Sequence, residues 1–344
     1  MLAVGAGSSC SFYHRVMARK NLVDGAKAYK DRKFLDAENL FRYAASLDPN
    51  GDTIEGRTAQ LSLARTLHSE YIGDRSKKTL AESAIAEYQK SIPQTERELK
   101  DTEAAYKANP NSEDAQAKYF QSLSALNSST SAVASLYDNI QRPDDAKAWQ
   151  EKVAANESLP ATARARAYSA LAAKNNTCAN DISDSPATKK TVTGKDGKSQ
   201  MYQFSKPASP EDFDKLKQCV ADGQSLIDKA MALEPDVVKN AGSLNVASMS
   251  DAQLALNAEI LKVFESVRSY KASLVNQSAR VAEMDGNTAD KDKLKADYET
   301  AKANFMSLSD VVKKITSLQD ERTAAKEAAA SAEANKANAN AANK

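Results

Sequence analysis

The sequence predicts an all-α, elongated protein built from antiparallel helix pairs, and three observations predict it. Residues 21–50, "NLVDGAKAYKDRKFLDAENLFRYAASLDPN", read as two helices joined by a short polar break, and Pro49 ends the second because proline cannot continue a helix. Aromatic residues make up only 6% of the chain and the mean hydropathy is −0.57, with Ala, Lys, Asp, Ser and Asn abundant. That composition suits surface-rich helices better than a compact enzyme. With 344 residues, there is room for two ordinary domains or one extended array. The formal net charge of +1 argues against a large nucleic-acid footprint, which needs a marked excess of Lys and Arg on one face. No run reaches the roughly 18 apolar residues of a membrane span, so the chain is not expected to cross a bilayer by itself.

At the start, "MLAVGAGSSC" is small and apolar and ends on Cys10. It resembles the tail of a lipoprotein signal peptide, which implies an acylated Cys10. The stretch lacks a basic segment, its apolar run is short, and Gly7 stands where an aliphatic residue is usual. Two readings of residues 1–10 therefore stay open, a signal-peptide remnant or a flexible start. Just beyond, residues 11–34 carry Arg15, Arg19, Lys20, Lys27, Lys30, Arg32 and Lys33 against Asp24 and Asp31. Beside an anchored Cys10 this excess would face anionic head groups; otherwise it is a solvated helix face.

Internal repeats organise the rest. Gly25, Ala37, Phe41, Ala44 and Pro49 are followed, at matching offsets, by Ala134, Tyr137, Ala146, Trp149 and Val153 with Pro160 after them. A third set, Gly223, Ile227, Ala230 and Pro235, follows the helix "TARARAYSALAAKNNTCAND". The pattern resembles the tetratricopeptide repeat (TPR) family, and the resemblance implies a TPR-like α-solenoid over residues 11–320. Gly25 and Ala37 are expected at the helix crossing, Phe41 between successive repeats, and Trp149 in the core. "AQLSLARTL" with "LAESAIAEYQKSIP" reads as a looser repeat with a long inter-helix loop, and residues 260–305 as another, with Ala301 and Phe305 in its second helix. Pro93 and "NPN" at 109–111 are expected to bound a helical stretch over 95–126. An insertion, 183–210, splits the third repeat and contains "KKTVTGKDGKSQMYQF", two β-type runs around a Lys-Asp-Gly turn. The Ala-, Asn- and Lys-rich end, 321–344, has little to pack and is expected to be a disordered or frayed helical tail.

Chemistry is sparse. The chain holds two histidines, His14 and His68, and three cysteines, and lacks HExxH, GxSxG, P-loop and GxGxxG patterns. Cys178 and Cys219 lack the spacing and partners of a zinc site. Carboxylates alternate with Lys as solvated helix pairs. No catalytic residue, cofactor or metal site is expected.

The family resemblance places the first helix of each repeat on a concave groove, which for the first repeat would carry Arg19, Leu22, Ala26, Tyr29 and Lys30. Family members that clamp a peptide carboxylate have Lys and Asn where this chain has Leu22 and Ala26, so that clamp is not expected. Aligned to the family, Cys178 ends one helix and Cys219 lies near the start of its partner, which implies a disulfide at the base of the insertion. The expected function is a non-catalytic, protein- or peptide-binding scaffold of the bacterial cell envelope, without nucleic-acid binding, touching a membrane only through Cys10. The alternatives are a cytoplasmic adaptor of the same family and an enzyme on a helical scaffold.

Overall fold

The computed structural model describes the backbone of residues 6–193 and 200–342, and side chains within 12–193 and 200–335. It is all-helical apart from one two-stranded sheet. The chain forms two compact units, 1–110 with 121–163, and 111–120 with 164–344.

The first unit holds α1 (Ala6–Lys30), α2 (Phe34–Ser46), α3 (Ile54–Gly73), α4 (Lys78–Ala108), α6 (Pro143–Ala155) and most of α5 (Glu113–Asn139). In the first pair Gly25 makes a close approach possible, because a Cβ there would lie 2.7 Å from the Phe41 ring. Phe41 thus lies on Gly25 of its own pair, as well as joining Leu63 and Leu67 in a common core. The turn between α1 and α2 places Arg32 at φ 59°, and Lys33 N–H donates to the Ala28 carbonyl. The same turn recurs between α5 and α6, with Gln141 at φ 65° and Arg142 N–H donating to Tyr137. Both are Schellman-type helix ends built without glycine. Asp48 organises the link to α3: its carboxylate accepts from Asp52 N–H, Thr53 N–H and the Thr53 hydroxyl, while Thr53 caps α3 through Gly56 N–H.

Several expectations need correction here. Helix α4 runs through Pro93 instead of stopping there. Tertiary contacts on both sides hold it: Ile92 and Leu99 are buried, Gln94 donates to the Pro49 carbonyl, Arg97 donates to the Asn50 carbonyl and Glu98 pairs with Arg57. Those interactions outweigh the one lost backbone bond. The loop between α3 and α4 is short, because α3 continues to Gly73 and α4 starts at Lys78. The first helix of the second matched pair begins at Glu113, well before residue 127. Trp149 is only partly buried; it packs at the edge of the core and its indole N–H donates to the Thr130 carbonyl at 2.9 Å.

The second unit holds most of α7 (Ala161–Ser183), strands β1 (Lys189–Thr193) and β2 (Gln200–Phe204), α8 (Pro210–Met231), a single turn α9 (Asp236–Lys239), α10 (Asp251–Met284) and α11 (Thr288–Ala342). Gly223 lets α7, α8 and α10 meet; a Cβ there would stand 2.7 Å from Leu274 and 3.2 Å from Asn175. Leu254, Leu261, Phe264, Leu274, Leu308 and Ile315 fill the main core. Ser250 and Gln253 form a reciprocal capping box at the start of α10. The irregular 232–250 link contributes the buried Val238 and Ala241. Strands β1 and β2 pair antiparallel, Lys189 opposite Phe204 and Thr193 opposite Gln200; the Lys-Asp-Gly turn lies outside the described residues. Helix α11 continues into the Ala-rich end, where Arg322 and Lys326 both pair with Asp251 and the following side chains to 335 are exposed.

Candidate partner-binding surface

The first and third helices lie side by side and form one surface of the first unit. Arg15 on α1 pairs with Glu55 on α3 at 3.3 Å, and the Tyr29 and Ser69 hydroxyls lie 2.8 Å apart. Both pairs are separated by 40 residues. A constant offset means that α1 and α3 run parallel and in register. Burial pushes the Glu55 carboxyl up, but its own helix-start N–H and Arg15 outweigh this and hold it below the usual carboxylate range.

Of the residues assigned to a groove, Arg19, Ala26, Tyr29 and Lys30 are exposed on α1. Tyr29 also meets Phe34 edge-on, with ring centroids 5.4 Å apart. Leu22 departs from the expectation. It is partly buried against the cores that contain Ala18, Ala44 and Phe41, because its position on the helix turns it toward α2. The surface is therefore cationic and aromatic. Sequence reasoning missed its α3 half, Glu55 and Ser69, because no local pattern names the helix that lies beside α1.

Each unit also has an open cleft. In the first unit a cleft of about 330 Å³ is lined by Ile92, Pro93, Thr130, Trp149, Lys152 and Val153. In the second, a cleft of about 420 Å³ is lined by Gln224, Arg268, Lys271, Asp297, Thr300 and Asn304. Its two cations are paired: Arg268 makes two hydrogen bonds to Glu234, and Lys271 pairs with Asp228.

The two cysteines of the second unit are disulfide-bonded, with Cα atoms 6.1 Å apart, and tie α7 to α8 below the β-hairpin. Around this root Arg280 stacks on the Phe204 ring at 4.6 Å and pairs with Asp184, which also binds Lys189. Burial raises the Asp184 carboxyl, and Lys189 with Arg280 outweigh it, leaving it below its ordinary value. On either side of Cys178 along α7, Asn176, Asn180 and Ser183 hydrogen-bond Ser273, Gln277 and Arg280 of α10. This polar ladder was not foreseen; its signal was the run of Asn and Ser at helical spacing in "NNTCANDIS". Cys10 lies in the first turns of α1, and its side chain is outside the described ones.

His14 is exposed beside Tyr13. His68 Nδ1 lies 3.3 Å from the Tyr88 hydroxyl; burial holds the histidine below its usual value and pushes Tyr88 up to about 12. This is a packing pair. Among the described residues, no three His, Cys, Asp or Glu side chains gather closely enough to hold a metal ion, and no helix is long and apolar enough to cross a membrane. No protein-family model matches the chain, and no curated protein matches it.

Proposed function

We propose that this chain is a non-catalytic, protein-binding scaffold whose helix pairs form a solenoid of the tetratricopeptide kind, working in an oxidising compartment of the cell envelope. The observation that carries this reading is the parallel, in-register placement of α1 and α3, with Arg15 on Glu55 and Tyr29 on Ser69. First helices of successive pairs lie side by side in this way when pairs stack. The second unit supports it, since α7 runs parallel to α10 through Asn176–Ser273, Asn180–Gln277 and Ser183–Arg280, all separated by 97 residues. The Cys178–Cys219 bond is compatible with the oxidising compartment.

Arg19, Tyr29 and Lys30 are the groove residues expected to meet a protein or peptide segment with carboxylates near an apolar side chain. The test is affinity capture from the native host, identified by mass spectrometry, with wild type and an Arg19→Glu, Tyr29→Ala, Lys30→Glu variant. Expected is a partner captured by the wild type and lost from the variant at unchanged helicity. Equal capture by both would remove the groove from the reading.

A further inference from the structure

Helix α1 exposes more large apolar side chains than any other described helix. Phe12 is 71% exposed, Tyr13 59%, Val16 48% and Val23 64%. Phe12, Val16 and Val23 are four and seven residues apart, so they share one stripe along the helix. That stripe points away from the packed side of α1, where Ala18 and Gly25 are buried. Lys20 and Lys27 border it on one side and Arg19 on the other, and Lys30 closes its end, all of them exposed. The nearby acids are Asp24, further round the helix, Asp31 at the turn, and Glu55 of α3, whose charge acts on Arg19 as well as Arg15.

Exposed aromatic and branched apolar side chains leave water when they enter a bilayer interface, and lysine and arginine stems reach past them to place their charges among phosphates. A second copy of α1 fits less well. Seam positions between the apolar residues would bring Arg19 and Lys30 against their own copies, like charge against like charge. An acidic protein helix would satisfy the cations but offers little apolar cover for Phe12, Val16 and Val23, whereas a bilayer interface accepts both. We infer that α1 lies in the interface of an anionic membrane along the Phe12, Val16 and Val23 stripe, with Arg19, Lys20, Lys27 and Lys30 on lipid phosphates. This docking needs no acyl chain on Cys10; it shares Arg19 and Lys30 with the groove between α1 and α3, whereas Phe12, Val16, Lys20, Val23 and Lys27 belong to the stripe alone.

The experiment uses the full chain, produced in a cytosol so that no acyl chain is attached, and sedimentation with phosphatidylcholine vesicles or vesicles that also contain phosphatidylglycerol. Binding is expected only with phosphatidylglycerol, weakening as salt is raised. The Val16→Glu, Val23→Glu variant should bind about tenfold or more weakly, since two carboxylates would enter the interface. Both sites are exposed, so the variant should keep its helical circular dichroism, and Lys20→Gln, Lys27→Gln provides a second variant that leaves the apolar stripe intact. No binding to the anionic vesicles, or binding unchanged in both variants, overturns the inference. So does a concentration-dependent dimer that the glutamates abolish while vesicles stay unbound, because the stripe would then belong to a second copy. Loss of vesicle binding in the variant with partner capture retained keeps this inference separate from the scaffold reading.

Discussion

Side chains that cannot grow without moving a neighbouring helix set the spacing of these pairs. Ala37 is fully buried between α1 and α2, so Ala37→Leu should destabilise the chain by about 1–3 kcal/mol through overpacking, read from the urea midpoint. At Asp48, burial raises the carboxyl, but the hydrogen bonds from Thr53 and Asp52 outweigh it. Asp48→Ala should therefore cost about 1–3 kcal/mol, because three donors at the start of α3 lose their acceptor. His68 predicts a pH effect. Its folded value lies below the unfolded one, so its contribution is intact above about pH 7 and is lost as pH falls through about 6.5, where the unfolded chain takes up the proton first. Glu70 opposes this at lower pH, since burial and Glu38 raise its value and acidification relieves it. His68→Gln should flatten the fall in melting temperature between about pH 7 and 5.5. Gly25, Ala37 and Gly223 were legible in the sequence because crossing points demand small residues at fixed spacing. Asp48 was not, because its value depends on a loop geometry that no local pattern encodes.

Helices here are defined by what packs against them more than by their own end signals. Pro93 reads as a stop, yet α4 passes through it because Gln94, Arg97 and Glu98 are all engaged with the segment around 49–57. Local rules mark a probable break, and long-range bonds decide whether the break occurs. The helices α1, α2, α6 and α8 were legible, since each has a polar break or a proline at an end and small residues on one face. The 232–250 link was not, having no period of its own and burying Val238 and Ala241 only through its neighbours. The insertion is different again, since alternation in two short runs already described β1 and β2. At its base the disulfide closes a sequence separation of 41. Cys178→Ser with Cys219→Ser should lower stability by roughly 3–4 kcal/mol in the chain-entropy model, with far-ultraviolet dichroism unchanged in native conditions. Non-reducing peptide mapping of protein from the native host should yield the Cys178–Cys219 peptide, and two free thiols there would remove the argument for an oxidising compartment.

For the molecule as a whole, circular dichroism should report helix far above the one-third typical of globular proteins. A spectrum dominated by β structure would refute the architecture. Small residues at helix crossings were readable in both units, at Gly25 and Ala37 in the first and Gly223 in the second. The surface between α1 and α3 was readable only by half: a helical wheel shows which residues of α1 point outward, but not which helix lies beside them.

The covalent tie beneath β1 and β2 has a practical corollary. It pins α7 and α8 to each other whatever chain is strung between them, so loop length there carries little entropic weight. The segment between β1 and β2 is thus a natural grafting point: a fluorophore-binding tag inserted there would hang from a covalently closed base, and the α7–α8 pairing beneath it should survive the insertion.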